Sequence, residues 1–292
     1  MASHILLSRQ VHPDTTWLVV EGVADDRLFG RFVDLHGTRL ACACGRRAVM
    51  EVSNQLARFS KRDGFVGVVD LDFDALRDAS PVLPPVFVTD THDVETMCLA
   101  SDDALEAVLC EYCDRERWRE FESPIGQSVR QAVLAAGREI GLIRLASLEL
   151  RLGLRVAAWD HRSHYPAFLD DLKVDRGKLY SFLETTPTLR SDGLRRSCTP
   201  CDVNALRTAV NRLDDLHSNR DSLLIACGHD ACRVLSASIG PSRILGGRDV
   251  EPKAIEQALR LAYPEHVFLS TKLFAALKAW QQANQAWKLL RV

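Results

Sequence analysis

Six carboxylates stand where three short apolar stretches end. Glu21 and Asp25 lie in WLVVEGVADDRLF, Asp70 and Asp72 in FVGVVDLDFD, and Asp93 and Glu95 in VFVTDTHDVE. An apolar run closing on an acid reads as a buried parallel strand that delivers the acid to the C-terminal edge of a sheet. Open α/β sheets take their ligands in the crevice beyond that edge. Carboxylates gathered there repel one another and raise one another's pKa unless cations hold them together. Acidic sites built from oxygen ligands suit Mg²⁺ or Mn²⁺. The chemistry to expect is metal-dependent phosphoryl transfer.

Each motif also has a plainer reading. VVEGVADDRLF carries one glycine, Gly22, where a dinucleotide fingerprint needs three. Asp25 there could serve only as a charge at a helix N-terminus. Asp70 and Asp72 are two apart, so an extended strand would project both to one side. Asp74 reads as an exposed loop residue. Asp93 and Glu95 open a helix, and could simply satisfy its free N–H groups and dipole. In GHDACR, His229 and Asp230 sit at a further strand-to-helix turn, where His229 could contact phosphate or move a proton near neutral pH. There is no GxxxxGK[ST], HExxH or GxSxG. P-loop ATP hydrolysis and the common zinc peptidase and serine hydrolase plans are therefore not expected.

The elements that must position these residues alternate. Residues 16–21, TRLACAC, FVGVVD and PVFVTD read as strands. Between and after them, ADDRLFGRFVDL, RRAVMEVSNQLARFSK and a long helix from about Val94 to Tyr112 show helical spacing. That order predicts an α/β fold with a mainly parallel sheet and right-handed crossovers. Residues 1–118 form the expected α/β core, 119–221 a mostly helical insertion, and 222–292 the returning strand and helix with C-terminal helices. SLLIACGHDACRVLSASI supplies the returning strand and turn. Trp280 and Trp287, seven apart, are expected on one helix face.

Apolar residues are 47% of the 292 and charged ones 26%, which fits a folded globule. The net charge of −2 argues against a strongly basic surface, so an anionic substrate would need bridging cations. MASHILLSRQVHPD has too short an apolar run for a secretory signal, and no run is long enough for a membrane span. A cytoplasmic protein with nine reduced cysteines is expected. Two CxxC pairs, Cys110/Cys113 and Cys198/Cys201, offer zinc ligands, but 84 residues separate them.

The combination LVVEGVADDRLF, GVVDLDFD and VFVTDTHDVETM resembles a toprim domain of the kind found in OLD-family nucleases. It more closely resembles a toprim-like family of domains of unknown function that includes the nuclease subunit (AriB-type) of PARIS anti-phage systems. The resemblance extends through IGLIRLASLELRLGL, CGHDACRVL and IEQALRLAYPEHVFLSTKLFAALKAW. It implies a toprim-like α/β fold and a nuclease hydrolysing DNA or tRNA phosphodiesters as an effector of antiviral defence. It also implies Mg²⁺ (or Mn²⁺) held by Glu21, Asp25, Asp70, Asp72, Asp93 and Glu95, with Glu21, Asp70, Asp72, Glu95 and His229 in catalysis. OLD-type enzymes usually place a lysine where His229 stands. Related systems pair the toprim protein with a separate ABC-type ATPase, which suits a chain without a P-loop. A non-catalytic toprim-like module that binds a partner ATPase or a nucleotide signal is the alternative. Homo-oligomerisation stays open.

Overall fold

A computed structural model describes residues 1–77, 79–185 and 202–291. The chain forms two compact units, Met1–Met97 with Tyr263–Val292, and Cys98–Ala262. These limits differ from the sequence-based boundaries at 118 and 221. Among the described residues, no helix is long and apolar enough to cross a membrane.

The first unit begins with helix α1 (Ala2–Val11). It continues as β1 (Thr16–Val20), α2 (Val23–Phe29), β2 (Thr38–Cys42), α3 (Arg46–Arg58), β3 (Phe65–Val69) and β4 (Val86–Val88), and reaches α4 (Val94–Leu99). The four strands make one all-parallel sheet in the order β2-β1-β3-β4, with Trp17 paired to both Arg39 and Phe65. This is the α/β class expected, a parallel sheet flanked by helices and consistent with a toprim-like arrangement. Trp17, Val19, Phe65 and Val69 share one face and pack with Val49, Val52 and Leu56 of α3 and with Ala2 and Ile5 of α1. Leu18, Val20, Val66 and Val68 alternate to the other face and are equally buried, which is why these strands read as unbroken apolar runs. Gly67 leaves room for that packing: a Cβ there would lie 3.0 Å from both Val49 and Val86.

The order fixes a switch point. From β1 the chain steps to β2 on one side, then from β2 back across to β3 on the other. Crossovers in opposite directions leave a crevice at the C-terminal ends of β1 and β3.

The second unit holds α5 (Asp102–Tyr112), α6 (Arg115–Ile125), α7 (Val129–Glu149), a two-residue hairpin pair β5 (Leu169–Asp170) and β6 (Lys173–Val174), and α8 (Arg176–Thr185). It continues with α9 (Val203–Leu216), α10 (Ser222–Ile225), α11 (Gly228–Ser238) and α12 (Pro252–Ala262). The helix expected from Val94 to Tyr112 is interrupted. Ser101 caps α5 by accepting from the Ala104 N–H, so the chain restarts there rather than continuing from α4. SLLIA is not a strand. Asp221 accepts from the Leu223 N–H and starts the short helix α10, which lies close on α7. A buried apolar run of four or five residues fits either state, and the cap decides it.

The chain then returns to the first unit with α13 (Glu265–Leu269) and α14 (Lys272–Ala283). Phe268 stacks on Phe32 at 4.2 Å and meets Phe29 and Phe274 edge-on. Asp90 accepts from the Lys272 and Leu273 N–H groups, both at 2.7 Å, pinning the start of α14. The last residues bridge Val33 through Leu290, and the Asp34 N–H donates to the Leu289 carbonyl. Because α14 stops at Ala283, Trp280 and Trp287 do not share a helix face. Trp287 instead covers Gly64, with the Arg9 guanidinium 5.7 Å from its ring.

Candidate active site at the strand ends

Glu21 is the first residue beyond β1, and Asp70 the first beyond β3. They meet at the switch point, where the Asp70 N–H donates to Glu21 Oε1 at 2.9 Å. Asp25 lies in the first turn of α2, buried, and takes the Gly22 N–H at 2.8 Å. The plainer reading of Asp25 as a capping residue thus holds, and its charge still reaches the cluster. Asp93 and Glu95 are both buried. Asp93 Oδ1 accepts from the Thr96 N–H at 2.8 Å at the start of α4, where Glu95 occupies the first turn.

Electrostatics show what this grouping costs. Asp70 is pushed up to about 10, by burial first and then by the charges of Asp93, Asp25, Glu21 and Glu95. Burial also raises Glu21, with Asp72 and Asp25 adding to the effect and the Asp70 N–H opposing it. The charges of Glu21, Asp25, Asp93 and Glu95 thus all bear on Asp70. The donor set is oxygen throughout, which fits a hard divalent cation. Among the described residues of this unit, no three of these carboxylates bring an oxygen each within 4.8 Å of one another. A cation would therefore draw them closer than they stand.

Asp72 departs from the expected arrangement. β3 ends at Val69, and Asp72 takes a left-handed conformation with φ of 50°, so it does not project beside Asp70 from an extended strand. Its N–H donates to the His92 carbonyl at 2.8 Å, and its carboxylate lies 3.6 Å from Arg46. Burial raises its pKa while His92 and Arg46 restrain the rise. Arg46 also pairs with Asp74 and donates to the Asp70 carbonyl at 2.8 Å. Asp74, expected as an exposed loop residue, is thus a partner of Arg46.

His229 belongs to the second unit, in the first turn of α11. Its Nδ1 lies 2.8 Å from Glu256 Oε1 on α12. Asp230, beside it, is wholly buried and bound by Arg144, Arg233 and the Tyr165 hydroxyl. A cleft lined by Ala100, Arg130, Leu134, Asp221 and Leu223 also lies in the second unit and holds none of the predicted residues.

Two residues escaped the sequence reading. Arg46 gave a weak signal as a cation opening α3. His92 was visible inside THDVE, but a lone histidine carries little weight without its surroundings. The seven described cysteines are all unbridged. Burial pushes the Cys113 thiol up to about 12, so it holds its proton, while Cys198 and Cys201 lie outside the described residues. No protein-family model matches the chain, and no curated protein is detectably similar to it.

Proposed function

We propose that the chain is a divalent-metal-dependent nuclease of toprim type that hydrolyses phosphodiesters of DNA or RNA. In this reading it serves as a toxic effector of anti-phage defence and works with an ABC-type ATPase partner. One observation carries the site: Asp70 stands half-buried at the switch point, and desolvation and then the charges of four other carboxylates raise its pKa. Glu21, Asp25, Asp70, Asp93 and Glu95 would hold the cation, with Asp72 at the margin beside Arg46. A divalent cation bound there would activate water for attack and shield the phosphate charge. Glu21 positions the strand end that bears Asp70 by accepting its N–H. The resemblance gives His229 a catalytic part; within the second unit its Nδ1 lies 2.8 Å from Glu256 Oε1.

The contrasting reading is a non-catalytic module that binds a partner ATPase or a nucleotide signal. Arg46, already paired with Asp72 and Asp74, favours it by answering part of the charge without a metal. The decisive experiment incubates the purified protein with plasmid, single-stranded DNA and tRNA in Mg²⁺ or Mn²⁺, with and without the ATPase. Metal-dependent cleavage that Glu21→Ala abolishes supports the nuclease. Its absence, even with the partner present, supports the module.

A further inference from the structure

We propose that His92 is a nitrogen ligand of this cation site, and that the site therefore takes Mn²⁺, which accepts imidazole more readily, in preference to Mg²⁺. The inference rests on the proposed cation site and concerns which ion it selects.

His92 lies between β4 and α4, in the loop that presents Asp93. It is 4% exposed, and its Nδ1 is sealed from solvent with no hydrogen-bond partner. A buried ring nitrogen without a partner carries a desolvation cost that native structures rarely leave standing. One ring nitrogen lies within 4.8 Å of an Asp93 carboxylate oxygen, close enough for the two to share an ion. One contact holds the ring and another the backbone that bears it. Phe73 packs edge-on against it with centroids 4.6 Å apart, and the His92 carbonyl accepts the Asp72 N–H at 2.8 Å. His92 is therefore packed against the same strand-end loop that carries Asp72, with Asp93 following it in the chain.

Ligand chemistry then sets the preference. An all-carboxylate site discriminates weakly between Mg²⁺ and Mn²⁺, whereas imidazole binds first-row transition ions, Mn²⁺ the weakest of them, and contributes little to Mg²⁺. One nitrogen among carboxylates is enough to tilt selection toward Mn²⁺ without demanding zinc-like geometry. The role also explains why the ring is buried while its nitrogen stays unanswered.

The test loads the full-length protein with Mn²⁺ and records electron spin-echo modulation, with and without ¹⁵N-histidine labelling. Calorimetric titration with Mn²⁺ and Mg²⁺ is run in parallel. The expected result is histidine nitrogen coupling in the wild-type protein and an Mn²⁺ affinity roughly tenfold or more above that for Mg²⁺. His92→Gln, checked for folding by circular dichroism, should lose the coupling and most of the Mn²⁺ advantage while binding Mg²⁺ as before. Mn²⁺ bound through oxygen alone, or coupling that survives in His92→Gln, would overturn the inference and leave the carboxylate site standing. Failure of both cations to bind would instead overturn the proposed site itself. The wild-type spectrum decides even if the variant misfolds.

Discussion

Each unit withdraws an aspartate from solvent, partly in the first and wholly in the second, and the two are treated in opposite ways. In the second, Asp230 is wholly buried, yet Arg144 grips both oxygens at 2.5 and 3.0 Å, Arg233 adds a bond at 2.8 Å and the Tyr165 hydroxyl another at 3.2 Å. Burial alone would raise its pKa, but Arg144 and Arg233 overcome that and hold it below the usual carboxylate range. In the first, Asp70 meets four like charges, and burial and repulsion act together to lift it. One aspartate is finished as a piece of structure. The other is held among like charges, where the proposed cation would bind. Perturbed carboxylates of the second kind mark functional sites.

The comparison breaks most sharply at Arg144. Arg144→Met would leave Asp230 buried and under-paired, and should lower the unfolding free energy by about 3–5 kcal/mol in urea denaturation. The next largest effect belongs to the first unit. Mn²⁺ or Mg²⁺ at a hundred times its Kd should stabilise the protein by about 2.7 kcal/mol. Asp70→Asn should lose that increment, and in chelator should be no less stable than wild type, because it removes a carboxyl the fold holds at a cost.

Acidity should separate the units in opposite directions. Asp230 is depressed in the fold, so its contribution is present above its unfolded pKa of roughly 4 and is lost as pH falls through the lower folded value. Asp70 is raised, so the fold binds a proton that the unfolded chain releases, and stability falls as pH climbs from about 4 toward about 10. Each slope is at most about 1.4 kcal/mol per pH unit for one proton. Amide exchange read separately in peptides of each unit checks the signs, and added Mn²⁺ should flatten the first-unit slope. The smallest effect calibrates the rest. Arg248→Ala breaks an exposed pair with Glu111 and should change stability by no more than about 1 kcal/mol in the same denaturation assay.

Glu21 and Asp70 were legible in the sequence because an unbroken apolar run closing on an acid has few meanings in a doubly covered parallel sheet. The strands themselves followed from the same pattern, to within a residue or two. What stayed hidden depended on partners distant in the chain. Asp72 leaves the strand geometry because the backbone turns left-handed, and Arg46, 26 residues earlier, claims its charge. SLLIA has no period to read, and only the Asp221 cap shows that it coils. The start of α5 was legible in principle, since SDD is an N-cap followed by acids, but the apolar spacing on either side masked the interruption. His92 could not be weighed until the fold showed that its nitrogen was buried without a partner.

The return of residues 263–292 to the first unit has a consequence for the order of synthesis. A ribosome extending the chain from its N-terminus has made all of the second unit before it makes Phe268, the α14 start that Asp90 pins, or the Leu289 and Leu290 backbone that closes beside Val33. The carboxylate-bearing half is thus the last to be completed. A nascent chain released early would carry every acid of the cluster without the helices that finish the body around it.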